Sequence, residues 1–135
     1  MNGETNLSEL LKGLRPHLNK GDFVFVCVAD EEAIPLVRAD VLGEFREPEG
    51  RTLIIEQTIA DKHHLQYQSV YAWITLEVHS SLEAVGLTAA FSSELAQHNV
   101  SCNVIAGYHH DHLFVNKNDA QRAMRILSDL SERAG

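Results

Sequence analysis

The sequence predicts an α+β chain of two related half-domains, and three observations predict it. From residue 71 the elements read strand, helix, strand, strand, helix. The first 68 residues read helix, strand, strand, short helix. Each half thereby stops one edge short of the split βαβ, ferredoxin-like unit. Exchange of strands, or one half borrowing a strand from the other, would supply what is missing. The expected division is a divergent N-terminal half, residues 1–68, and a C-terminal domain, residues 69–135.

The elements follow from local pattern. Leu7, Leu10, Leu11, Leu14 and Leu18 recur at helical spacing behind Asn6, an N-cap with Glu9 three residues on, and Pro16 closes the pattern. After the Asn19-Lys20-Gly21 turn, the run Phe23–Val28 predicts a strand covered on both faces in the middle of a sheet. Residues 41–56 form a hairpin around Glu47-Pro48-Glu49-Gly50, with Val41–Phe45 readable as a strand or as the end of a short helix. A short helix is expected near Ile59–Leu65.

Tyr71–Val78 is a strand, His79–Gly86 a loop, and Leu87–His98 a helix with Leu87, Ala90, Phe91 and Leu95 on one face. Asn103–Gly107 and His112–Val115 are strands around a His-rich turn. Asn118 is expected to cap the final helix, with Gln121 at the capping-box position and Ala120, Ala123, Met124, Leu127 and Leu130 toward the core. Trp73 and Phe91 read as core aromatics.

Of 135 residues, 44% are apolar, enough for a core without disulfides or a structural metal. The net charge of −8, from 11 basic and 19 acidic residues with no Lys/Arg block, argues against nucleic acid as a partner. No apolar run reaches the roughly 20 residues that span a bilayer. Met1-Asn2-Gly3-Glu4 lacks the features of a signal peptide. A cytoplasmic protein with no membrane partner is expected. Cys27 and Cys102 lie in strand-like runs and are expected to be buried thiols.

The loop before the Leu87 helix has the chemistry of an anion pocket. Gly86 permits close backbone approach, Thr88 sits in the first turn, and the free N–H groups at a helix start suit a carboxylate. Ser80 and Ser81 add hydroxyl donors, and Glu83 can accept from an ammonium group, so the set suits an amino acid or small acid. Equally, Ser80 and Ser81 can simply cap a turn while Gly86 eases helix entry, and Asn103 is either a ligand contact or a turn-capping amide.

The densest histidine cluster is His109-His110-Asp111-His112. Imidazole and carboxylate suit zinc, but strand alternation lets only His110 and His112 converge, so a polar hairpin tip is the favoured reading and no metal is assigned. His63-His64 reads as solvated surface. His79 beside Ser80 and Ser81 is not a hydrolase triad, since no Gly-x-Ser-x-Gly elbow accompanies it.

The stretches Trp73–Ala90 and Ser101–Val115 closely resemble a family of small bacterial proteins built from tandem ACT-like domains and largely of unknown function. The likeness covers roughly residues 70–130, and the N-terminal half looks like the more divergent ACT-like half. It implies a βαββαβ fold in tandem duplication. It also implies a non-catalytic, regulatory role, with a small-molecule effector such as an amino acid held between ACT units. Carried onto this chain, the ligand-binding residues are Ser80, Ser81, Glu83, Val85, Gly86, Leu87 and Thr88 of the loop, and Asn103 and Ile105 of a neighbouring second strand. No catalytic residue and no cofactor are implied. A homo-oligomer or a separate partner is expected, because the resemblance brings no catalytic domain. The alternatives are a small metal-dependent enzyme using His109–His112 and a pure protein–protein interaction module.

Overall fold

The leucine-rich start folds into a helix, α1 (Leu7–Gly13), in the computed structural model, which describes residues 6–29, 35–78 and 85–134. Asn6 caps it: its side chain accepts from the Glu9 N–H at 3.1 Å. The helix stops at Gly13, short of what the leucine spacing predicts, and Arg15–Leu18 is a strand, β1. Pro16 is tolerated there because β1 pairs with one described strand only, β5 (Tyr71–Glu77), antiparallel and with Leu18 opposite Ile74.

The chain packs as two units, residues up to Lys20 together with Ala72 onward, and Gly21–Tyr71. The first unit continues from β5 into α3 (Leu87–Gln97), β6 (Cys102–Ala106), β7 (Asp111–Asn116) and α4 (Ala120–Ala134). Its strand order is β1-β5-β7-β6. The edge strand missing from the C-terminal half is thus β1, contributed by the start of the chain. One face of this sheet, carrying Ile74, Leu76, Leu113 and Val115, packs with Leu10 of α1, Phe91 and Leu95 of α3, and Leu127 and Leu130 of α4. The N-terminal leucines therefore serve the same core as the C-terminal helices.

Ser131, buried on α4, fastens α1 to α4: its hydroxyl donates to the Lys12 carbonyl at 3.0 Å and accepts from the Arg15 guanidinium at 3.3 Å. The last α-helix begins at Ala120, one residue later than an Asn118 cap implies. The Asn116 side chain, not that of Asn118, is the cap, accepting from the Asn118 N–H at 3.0 Å ahead of a 3-10 turn over Lys117–Asp119.

The second unit orders its strands β3-β4-β2, with β2 at Phe23–Val28, β3 at Val41–Glu47 and β4 at Gly50–Glu56. The open reading of residues 41–45 resolves as strand, preceded by a 3-10 turn at Arg38–Asp40. The short helix α2 runs Gln57–Lys62. Val24, Val26, Val28, Leu53 and Ile55 face Ala60 of α2. On the other face of β2, Phe25 is half-buried and Cys27 is exposed, so the expectation of a strand covered on both faces, with a buried Cys27, is corrected. Period-two alternation is present, but Phe25 and Cys27 are themselves apolar and hide it in the sequence.

Candidate functional site

Gly86, the N-cap of α3, adopts φ +95°, a left-handed conformation, and has no side chain with which to cap the helix. Leu87 turns into the core at 3% exposure, whereas Thr88 and Val85 stay exposed. Space above Gly86 is already used within the unit, since a Cβ there would lie 3.3 Å from Cδ2 of Leu7. The glycine is required by its φ and by the approach of α1, whatever else it serves. Ser80, Ser81 and Glu83 lie outside the described residues.

Asn103 and Ile105 sit on β6, the sheet edge, opposite Phe114 and His112 of β7. Cys102 and Val104 pack toward the helices, so alternation turns Asn103 and Ile105 to the opposite face. The Asn103 amide donates to the Phe114 carbonyl at 3.4 Å. Within one unit the structure does not bring these residues to Gly86–Thr88: β7 lies between β6 and β5, the strand that leads toward α3.

The histidine cluster resolves into separate roles. Gly107 donates its N–H to the His110 carbonyl at 2.8 Å and closes the turn. Tyr108 is 73% exposed at the tip, with its ring edge-on to His109. Among the described residues no group of three or more His, Cys, Asp or Glu is placed to hold a metal. His112 instead folds back onto the sheet. Its Nδ1 lies 3.0 Å from Trp73 Nε1 and 3.2 Å from Thr75 Oγ1. Asn19, one residue past β1, donates its amide to Thr75 Oγ1 at 2.9 Å and to the Trp73 carbonyl at 3.2 Å.

This chain of polar contacts, Asn19–Thr75–His112–Trp73, joins β1, β5 and β7 on the face turned away from the helices. Trp73, read from the sequence as a core aromatic, is half-buried and belongs to this network. Burial holds the His112 imidazole below its ordinary pKa, His110 adds to this, and Asp111 opposes it. Burial likewise raises the Asp111 carboxyl, partly offset by His112. Sequence reasoning missed this network because Asn19 and Thr75 gain meaning only once β1 lies beside β5.

Grooves open elsewhere among the described residues. One of about 520 Å³ runs along β3 and β4, with Leu36, Val41 and Leu53 as apolar wall and Arg38, Glu44 and Arg51 as charged rim. Another, about 450 Å³, lies along α3 and α4, where Arg133 pairs with Glu94 at 2.8 Å.

A family model described as ACT domain matches residues 2–72, and a second, also described as ACT domain, matches residues 68–129. A protein of unknown function from Vibrio cholerae, described as a possible transport protein, has a crystal structure similar to this chain. It is 43% identical, with a TM-score of 0.80, over 94% of this chain and 97% of that one. Fold likeness extends to the regulatory subunit of aspartate kinase from Thermus flavus, at 9% identity and TM-score 0.54, over 87% of this chain and 96% of that one. It extends also to E. coli aspartokinase III in complex with aspartate and ADP, at 11% identity and TM-score 0.61, where 85% of this chain spans 32% of that enzyme. No curated protein matches the sequence. No described helix is long and apolar enough to cross a membrane. With its two halves each matched and a relative 43% identical over nearly the whole of both chains, the chain belongs to the ACT-domain family.

Proposed function

We propose that the chain is a non-catalytic regulatory ACT protein of the cytoplasm that binds a small effector, an amino acid, and works as a homo-oligomer. The observation that carries the reading is the pair of ACT matches over residues 2–129. The ligand sits at the start of α3, with Ser80, Ser81, Glu83, Val85 and Gly86–Thr88 on one side and Asn103 and Ile105 of a neighbouring ACT unit on the other, and the functional halves divide at residues 68 and 69. The N–H groups at the start of α3 and an exposed Thr88 suit a carboxylate there. An outward Asn103 and Ile105 on an edge strand suit contact with a neighbour. Support for self-association comes from β3, the edge of the other unit's sheet, which exposes Leu42 and Phe45 at 40% and 72%.

A thermal-shift screen against the twenty amino acids tests this. A ligand at a hundredfold excess over its Kd stabilises the folded chain by about 2.7 kcal/mol, a shift of several degrees. One amino acid should give that shift, and Thr88→Val or Asn103→Ala should reduce it. Twenty amino acids without effect would sink the amino-acid reading and leave the interaction module.

A further inference from the structure

The indole N–H of Trp73 can only donate, so the His112 Nδ1 that receives it at 3.0 Å must carry a lone pair. The ring is therefore neutral and protonated at Nε2. Thr75 completes the same logic: its oxygen accepts from Asn19 and its hydroxyl proton is free to point at Nδ1. We propose that His112 is a proton-operated switch in the sheet. On protonation Nδ1 becomes a donor, Trp73 loses its acceptor, and Thr75 rotates its proton away to accept from the imidazolium.

The two states differ by one proton taken from solvent and one exchanged partner. Thr75 can serve in both, since its oxygen holds two lone pairs, whereas Trp73 can serve only in the neutral one. The bonding is thus bistable, and the displaced group is the large ring, whose centroid lies 5.8 Å from that of His112. The missing side chain of Gly107 makes room for the imidazole, since a Cβ there would come within 3.1 Å of Nε2.

The titratable and charged groups around His112 are these. Its own hairpin carries Tyr108, His109, His110 and Asp111. The turned-away face of β5 presents Tyr71 and Glu77, and β1 carries Arg15, paired in register with Glu77, and His17, whose Nδ1 lies 3.9 Å from Glu77 and which is paired in register with Thr75. Across the hairpin, β6 presents only uncharged Asn103 and Ile105 on this face. Ile105 is the cross-strand partner of His112, so the switch acts at the edge strand. Burial disfavours the charged ring, which places the transition on the acid side of the ordinary value of 6.5.

Trp73 is the sole tryptophan and reports on the contact. The test is a fluorescence titration of the full chain from pH 8 to 4.5, with far-UV circular dichroism followed in parallel. Expected is a single-proton change in Trp73 emission with a midpoint below 6.5 and unchanged dichroism, abolished in His112→Gln. Asp111→Asn should lower the midpoint and His110→Gln raise it. Should His112→Gln not fold, ¹⁵N ring spectra of the wild type decide: the neutral His112 must be the Nε2–H tautomer. An Nδ1–H tautomer, an emission change that survives in folded His112→Gln, or emission flat across the range would each overturn the switch.

Discussion

A Cβ placed on Gly86 would lie 3.3 Å from Cδ2 of Leu7, joining the first helix of the chain to the start of α3 some eighty residues later. Two costs follow for Gly86→Ala: the φ of +95°, worth about 1–2 kcal/mol for a residue with a Cβ, and the contact itself. Urea unfolding should show a loss in that range. Adding Leu7→Ala should return only the contact part, because the backbone angle is unchanged. Full recovery in the double variant would mean that the angle relaxes freely and is not what the glycine is for.

Leu14 is fully buried between α1 and β1 in the core shared by α3 and α4. Leu14→Ala should therefore cost about 2–5 kcal/mol, the usual range for a leucine cavity, and should be seen in the unfolding of Trp73, on β5 of the same unit. A cost below 1 kcal/mol would show that the first twenty residues are dispensable to that core.

The two thiols should separate cleanly. Cys27 is exposed on β2, while Cys102 is half-buried and burial pushes its pKa up to about 11. At pH 8 roughly one Cys102 in a thousand is thiolate, the reactive form. One rapid equivalent of aromatic disulfide reagent per chain is expected, lost in Cys27→Ser, with the second equivalent reacting only in denaturant. Two rapid equivalents would contradict the burial of Cys102.

Stability should respond to pH through His112 with a definite sign. Its folded pKa is depressed by burial and by His110. Above 6.5 both folded and unfolded chains are neutral at this ring and the contribution is fully present. As pH falls the unfolded chain takes up its proton first, so stability declines until the folded value is passed. Asp111 runs the other way: its raised pKa contributes fully below 3.8 and is lost as pH rises through the folded value. His112→Gln should flatten the decline between pH 7 and 5 in urea midpoints measured at each pH. An unaltered slope would assign the decline to other groups.

How much of this was legible in the sequence depended on how local each signal was. Asn6 with Glu9, the hairpin around Glu47–Gly50, and the spacing of Leu87, Phe91 and Leu95 are short-range patterns, and the structure follows them. β1 is the counter-example. Arg15–Leu18 contains Pro16 and a leucine in helical phase, and it is a strand because β5, more than fifty residues on, offers it a partner. Counting elements exposed the missing edge strand, but only pairing could say which residues fill it. The candidate site divides in the same way. A glycine before a helix is visible in sequence, whereas the left-handed φ, the Leu7 contact and the role of Asn19 depend on distant neighbours.

The borrowed strand makes a last prediction about folding. Leu18 stands opposite Ile74, and the next residue, Asn19, donates its N–H to the Trp73 carbonyl at 2.9 Å. The chain thus leaves β1 and returns into β5 at adjacent positions, as the two arms of a hairpin do. Among the described residues each hydrophobic cluster draws its members from one unit. Joining Lys20 to Ala72 through Asn-Gly, the favoured two-residue hairpin turn, should give a chain of the first unit alone that unfolds cooperatively and keeps a structured near-ultraviolet signal from Trp73. A chain that shows helix by far-UV dichroism but neither property would mean that the core around Phe91 and Leu127 needs Gly21–Tyr71 to be specified. The ACT pair would then be one folding unit despite its separate cores.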